Sequence, residues 1–340
     1  MRSTSAIKMS SGRSSRRTNR EEGVFFGDAF ALILFVTAGL AAALYSTGCS
    51  PAGNSRKAEF LKRAGHKDGE VRILVCHIGF PPASTLDKDP EQSTADDRPL
   101  REAIEVIQSV RPDIVAVLHI ENRARWETLL QRLGSREDRY PHTDFQVAED
   151  ASGAMGIVSR FPIIERRVRL DMDYSIQGHP RRMSREMVDV TVLTGPQDPL
   201  RLLLAHLKNK TFHQLGQTEM RRNEARLVAR HIHSILDAAP ECRLLLAGAL
   251  HDESESAAVQ KIIGQPGTRL VDLRPADPAG NAWTERDRSG DIYTRSDYLL
   301  ASPAVAARVA TCDTRILDIP VSKSMSMHRP ILVGIRADGE

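Results

Sequence analysis

Residues 243–256 read RLLLAGALHDESES, and this stretch places groups able to do chemistry at the end of an apolar run. Residues 244–246 have the length and flanks of a buried strand. The run gives way at Gly248 to a short polar turn carrying His251, Asp252 and Glu253. Rigid elements commonly present reactive side chains at such an end. An imidazole there serves as a proton carrier near neutral pH, or as a ligand for zinc, copper, iron or nickel rather than magnesium. A histidine among polar groups can also simply satisfy hydrogen bonds, and for each histidine taken alone that reading stays open. Asp252 and Glu253 are either supports for His251 or solvated charges.

Strands and helices must position this turn, and from Val71 they alternate. Residues 71–78 (VRILVCHI) are β-rich and lead into a long polar loop, 83–98, at a strand end where binding loops are found. Helical spacing follows, with Leu100, Ile104 and Ile107 on one face, until Pro112 stops it. Residues 113–120 (DIVAVLHI) read as a second buried strand, 201–207 (RLLLAHL) as another, and 215–239 as a long amphipathic helix. The pattern predicts an α/β protein. It shows no internal repeat.

Composition narrows the classes. The 340 residues include 41% hydrophobic and 27% charged residues, enough for a core. A formal charge of +3 does not indicate nucleic acid, and 5% aromatics give little sign of a base-stacking platform. Cys49, Cys76, Cys242 and Cys312 are too scattered for a disulfide framework or a zinc motif, and Cys76 and Cys242 read as inert thiols on strand-like runs.

The N-terminus reads as an address. Residues 1–22 are Ser- and Arg-rich and read as a disordered basic region. Residues 23–48 contain an apolar run long enough to span a bilayer and predict a signal or transmembrane anchor, with 49–69 as a polar linker. Small residues before Cys49 resemble a bacterial lipoprotein cleavage site, although the usual Leu three places before the Cys is absent. Lipidation of Cys49 and an uncleaved anchor both stay open. Arg13, Arg16, Arg17 and Arg20 before the run balance Arg56, Lys57, Lys62 and Arg63 after it, so charge does not settle orientation. The signal-like start points to export and membrane association of a bacterial type.

Several motifs, in order, resemble the endonuclease/exonuclease/phosphatase superfamily. Arg111-Pro112-Asp113-Ile114-Val115-Ala116 followed by Glu121-Asn122-Arg123 is similar to the family's second motif. Residues 153–162 (GAMGIVSRFP) are similar to its structural Ser-Arg-Phe-Pro strand, and Arg181, Arg182 and Arg185 precede a strand where the family often carries Arg. His206 and Lys208 match its Asn-His-Leu-Lys strand, and Gly248 to Asp252 fall on its Gly-Asp-x-Asn-Asp turn. Arg295-Ser296-Asp297-Tyr298 and Ser326-Met327-His328-Arg329-Pro330 resemble its Arg-Ile-Asp-Tyr and Ser-Asp-His-Arg-Pro signatures. The likeness covers about residues 70–337. It implies the DNase I-like four-layer αββα sandwich: two mixed β-sheets flanked by helices, with phosphate-ester chemistry.

The departures sit on the family's chemistry. Its metal-binding Glu falls on His119, its first-strand Asn on His77, its turn Asp on Ala249, its turn Asn on His251, and the Asp of its Ser-Asp-His on Met327. Loss of the hard carboxylates argues against an ordinary Mg²⁺ site, whereas imidazoles suit a divalent transition metal, with Zn or Mn the expected ion. The resemblance implies His77, His119 and His251 as metal ligands, with His206 and an Asp297–His328 pair as catalytic groups. It implies Arg182, Lys208 and Arg329 as contacts to a phosphate ester or other anionic ligand. A register displaced by one residue would instead bring Glu121 or Asp252 to the centre. Two functions stay open: a metal-dependent phosphate-ester hydrolase with a rebuilt centre, and a catalytically inactive binding module.

Overall fold

Both faces of the main strands are apolar, so each strand must be covered on both sides. Val71, Ile73 and Val75 pack one way while Leu74 and Cys76 pack the other. The computed structural model of the chain describes residues 69–79, 97–134, 140–148, 153–168, 171–183, 185–264, 270–287, 291–318 and 325–337. In chain order these form β1 (Glu70–His77), α1 (Arg98–Val110), β2 (Ile114–Ile120), α2 (Arg123–Gly134), β3 (His142–Val147), β4 (Ala154–Ser159) and β5 (Ile163–Arg167). There follow β6 (Asp173–Ile176), β7 (His179–Arg182), β8 (Val188–Leu193), β9 (Pro199–His206), α3 (Gln217–Ala238), β10 (Leu244–Ala249), α4 (Ala257–Ile263) and β11 (Val271–Asp272). The last part comprises β12 (Glu285–Asp287), β13 (Ile292–Thr294), β14 (Asp297–Ala301), α5 (Pro303–Ala306), β15 (Val309–Ile316) and β16 (Ile331–Arg336).

The first sheet has the order β15-β16-β1-β2-β4-β3 and the second β11-β14-β10-β9-β8-β5. Each is built alike, with one parallel pair at its centre, β1 beside β2 and β9 beside β10, and antiparallel partners on either side. Three apolar layers glue four structural ones. Ile73, Leu118, Ile157, Leu202, Leu245 and Val333 fill the space between the sheets. Leu74, Val115 and Val158 meet Leu100, Ile104 and Ile107 of α1 and Trp126 and Leu129 of α2. Leu203, Leu246 and Leu300 meet Val228 and Ile232 of α3 and Val259 of α4. This is the expected αββα sandwich, and burial pushes the Cys76 thiol up to about 12, in line with an inert role.

The layers are closely fitted. A Cβ built on Gly156 of β4 would lie 2.5 Å from Trp126 Cη2 and 2.9 Å from the Asp144 carbonyl oxygen. Gly156→Ala is therefore expected to destabilise the fold by about 1–3 kcal/mol, the usual range for overpacking a core. Urea unfolding checks this; an unchanged midpoint would mean that α2 does not seat on the sheet as described.

The basic region 1–22, the signal or anchor 23–48, Cys49, nearly all of the linker 49–69 and most of the loop 83–98 lie outside the described residues. No described helix is long and apolar enough to cross a membrane.

Candidate functional site

The doubled parallel pair brings the site together. Parallel strands end at the same edge, so β1 delivers His77 beside His119 of β2, and β9 delivers His206 beside Ala249 of β10. The antiparallel neighbours begin where these end: Asp297 opens β14 opposite Ala249, and His328 lies just before β16. All five histidines, 77, 119, 206, 251 and 328, are buried together with Asp297.

Two local departures from regular structure aim the side chains. Val117 pairs with Cys76, but His119 rather than Leu118 pairs with His77, so β2 carries a bulge. Strict alternation from Ile114, Ala116 and Leu118 would turn His119 towards the helices; the extra residue turns it into the inter-sheet cleft beside His206, as bulges near active sites do. The second departure is at His251, whose φ of 51° lies in the left-handed region. A residue other than Gly in such a conformation is uncommon and collects at functional sites.

One half of the cluster is a relay. His77 Nε2–H donates to Asp297 Oδ1 at 2.9 Å and His328 Nδ1–H donates to Asp297 Oδ2 at 2.7 Å. Thr284 Oγ1 fixes the start of β14 by accepting from the Ser296 and Asp297 amides at 3.0 and 2.9 Å. The His77 and His328 rings stack, with centroids 3.8 Å apart and planes 11° from parallel. Burial pushes the Asp297 carboxyl up, but the charges and hydrogen bonds of His328 and His77 overcome it and hold the group well below the usual range. Burial pulls His328 down, yet Asp297, with help from Glu285, leaves it above its ordinary value. Burial and the neighbouring His328 charge bring His77 down to about 4, against the opposing pull of Asp297.

The nitrogen and oxygen atoms of His77, Asp297 and His328 lie within 4.8 Å of one another, as close as metal ligands would. Stacking argues against that use. Two parallel imidazoles cannot both direct an in-plane lone pair at one ion, whereas each can donate a hydrogen bond to its own oxygen of one carboxylate.

The other half is a pair. His206 Nδ1 donates to the carbonyl oxygen of Leu118, the bulge residue, at 2.9 Å, which leaves Nε2 as an acceptor. Nε2 of His251 lies 3.0 Å from that atom. On its far side His251 Nδ1 faces Glu285 Oε2 at 3.7 Å, and Glu285 Oε1 lies 3.8 Å from His328 Nε2, so this carboxylate links pair and relay. Ser296 Oγ donates to Glu285. Burial favours the acid form of Glu285, but His251 and His328 outweigh it and bring the group to about 2. Burial lowers His251, and burial followed by the Arg185 charge puts His206 and His119 well below their ordinary values. His119 stands with its ring centre 6.4 Å from that of His206, and its buried Nε2 has no hydrogen-bond partner among the described residues.

The structure thus gathers His77, His119, His206, His251, Asp297 and His328, but groups His77 with Asp297 and sets His206 against His251. The expected phosphate contacts are placed otherwise. Arg182 pairs with Asp173 and Glu186. Lys208 Nζ donates to Asn209 at 3.1 Å. Arg329 is buried against Asp277, at 2.8 Å, and lies over the Trp283 ring, which makes it a brace for the segment before β12. Arg185 is the member of the arginine group whose charge is felt by His119 and His206. Glu121 pairs with Arg125 and Asp252 with Arg221, so neither supplies a missing carboxylate to the cluster. Glu285 does stand there, and sequence reading missed it: it matches no motif, and only the bridge of its strand to His328 brings it in.

No protein-family model matches the sequence, and no curated protein matches it. Solved structures do. The catalytic domain of human Nocturnin with bound sulfate is similar at a TM-score of 0.53 and 15% identity over 78% of this chain and 94% of that one. A humanized D. rerio TDP2 gives 0.51 and 16% over 78% and 99%, and an endonuclease/exonuclease/phosphatase from Beutenbergia cavernae gives 0.53 and 18% over 79% and 72%. The chain has the DNase I-like fold of the endonuclease/exonuclease/phosphatase superfamily.

Proposed function

We propose that the chain is a phosphate-ester hydrolase whose acid–base group is His328. The observation that carries this reading is the buried Asp297–His328 hydrogen bond at the shared edge of both sheets. Asp297 fixes the His328 tautomer and sustains its positive charge, and the Nε2 proton of His328 is then available to a leaving oxygen. Glu285 faces that nitrogen and holds the ring against the opposite side of the cleft. His77, stacked on His328, takes the second oxygen of Asp297 and keeps the carboxylate from turning.

The donor set does not fit the fold family's usual magnesium. Positions 119, 249 and 327 lack carboxylates, and both oxygens of Asp297 accept from imidazoles. The surplus of imidazole fits zinc or a similar divalent ion, for which the unpartnered His119 Nε2 is a ready donor. Such an ion supplies Lewis acidity to a phosphoryl oxygen.

Arg185 is the cation nearest in effect to the histidines, and we assign it the anionic part of the ligand. A sulfate is bound by the similar Nocturnin catalytic domain. Arg185→Ala is expected to weaken inhibition by inorganic phosphate about tenfold, the worth of one charge-assisted hydrogen bond. An unchanged inhibition constant would remove Arg185 from the role.

Saturation of Asp297 by two imidazoles also suits a binding module that holds an anion without turnover. The readings separate by pH: phosphate held by protonated histidines binds more tightly as pH falls, whereas binding through an imidazole-held ion strengthens as pH rises through about 6.5. In either case residues 23–48 are read as a signal or anchor that places the domain at a membrane on the exported side. Fractionation of cells expressing the full chain, with and without Cys49→Ala, tests that placement and the lipid.

A further inference from the structure

We propose that Arg221 and Glu224 are positioning residues: from one buried face of α3 they hold the two turns that present His206 and His251, and so set the contact between those imidazoles. The proposal rests on the hydrolase reading only for its kinetic consequence. The two residues lie three apart, so the helix presents them side by side. Both are charged groups sealed from water, with 4% and 1% of their surface exposed. Packing alone does not ask for them, because Ala225, Val228 and Ile232 of the same helix meet the sheet through apolar contact. Charges are kept in such a place only where partners meet them.

Those partners are the two strand ends. Arg221 Nη1 donates to the Lys208 carbonyl oxygen at 3.2 Å, and its Nε donates to Asp252 Oδ2 at 3.1 Å. Glu224 Oε2 accepts from the Lys208 amide at 2.5 Å. Both backbone groups of Lys208, two residues beyond His206, are thus held by α3, and the same guanidinium holds the residue after His251. Strand pairing does not reach so far. The register of β9 and β10 ends at His206 and Ala249, and His251 lies two residues further on, at a φ of 51°. Its amide makes a long bond, 3.3 Å, to the Ser296 carbonyl oxygen, which the Leu250 amide already takes at 2.8 Å. Asp252 is tied more firmly, by Arg221 and by the Tyr298 hydroxyl, which donates to its carbonyl oxygen at 2.8 Å. The 3.0 Å hydrogen bond between His206 and His251 therefore depends on the strut from α3. Glu285 carries its placement on to His328.

The test is the ring N–H spectrum of the full chain labelled with ¹⁵N-histidine. Wild type is expected to show a slowly exchanging ring proton for the His206–His251 hydrogen bond, assigned by its loss in His251→Gln. Arg221→Met, Asp252→Ala and Glu224→Leu, each with the fold retained by circular dichroism, should shift that resonance or lose it to solvent exchange. Glu224→Gln keeps an oxygen for the Lys208 amide and should restore the wild-type spectrum. Phosphodiester turnover should follow the spectrum, with kcat falling about 10²-fold, the order that a misplacement of about 1 Å costs, while KM changes less. Asp252 is the partly exposed member, so Asp252→Ala decides the question if Arg221→Met does not fold. An unchanged resonance in folded Asp252→Ala, its absence from wild type, or wild-type turnover in a variant that has lost it overturns the proposal. Spectra that move as expected in a chain that hydrolyses nothing leave the strut standing and remove the hydrolase reading.

Discussion

His328→Ala is expected to lower phosphodiester turnover by the full chain by about 10²–10⁴, the range supplied by a positioned acid–base group. Metal binding and the unfolding midpoint at neutral pH are expected to change far less. Asp297→Asn tests the same device by another route. The amide removes the charge that keeps His328 protonated, so the pH above which activity falls should move down, because a raised pKa loses its source. Asp297 is buried and accepts two hydrogen bonds, so this variant will also lose stability, and the pH profile is the readout that separates catalysis from folding. A His328→Ala enzyme as active as wild type, or an Asp297→Asn profile unmoved on its basic side, would take His328 out of the mechanism.

Acid is expected to destabilise the domain from about pH 6.5 downward, through its buried histidines. His77 has a folded pKa of about 4 against an ordinary 6.5, so the unfolded chain binds a proton there that the native one refuses. Stability from this group is fully present above about pH 6.5 and is lost as pH falls towards 4; the difference amounts to about 3 kcal/mol at about 1.4 kcal/mol per pKa unit. His119, His206 and His251 are displaced in the same direction, for the same first reason, burial. His328 acts oppositely: its stabilisation is complete below 6.5 and disappears as pH rises through its raised value. Asp297 contributes stability that fails only at far lower pH. The four lowered histidines outnumber the groups that act the other way, His328 and the buried carboxyls of Glu224 and Asp113, which burial raises to about 7 and about 6, so urea midpoints should fall between pH 6.5 and 4.5. His77→Asn keeps a donor for Asp297 without a titrating ring and should flatten that slope by about one proton. An equal slope in wild type and variant would show that His77 is not the buried neutral group described.

Much of this architecture was legible because strand and helix periodicity is a local property. Leu100, Ile104 and Ile107 marked the buried face of α1, and the apolar runs ending in His77, His119 and His206 became β1, β2 and β9. The order of motifs then put Asp297 beside His328. What stayed hidden depends on geometry that no spacing encodes. The bulge at Leu118, which turns His119 into the cleft, arises from pairing with β1 and β4 at once. Grouping into relay and pair depends on contacts between strands far apart in sequence, His77 of β1 meeting Asp297 of β14 across the two sheets and His206 meeting His251, so His77 and His206 exchanged company relative to expectation. Arg182, Lys208 and Arg329 matched motif positions but found local partners, while Glu285, in no motif, reaches the cluster through a single β-bridge.

The most direct measurement is the hydrolysis rate of bis(p-nitrophenyl) phosphate by the full chain in Zn²⁺, Mn²⁺, Mg²⁺ and chelator, beside His328→Ala. A rate that needs an imidazole-binding ion, is not supported by Mg²⁺ alone and collapses in the variant is the result expected of a rebuilt histidine centre. Wild type and variant both at the uncatalysed background under every ion would contradict it and leave the fold as a binding module.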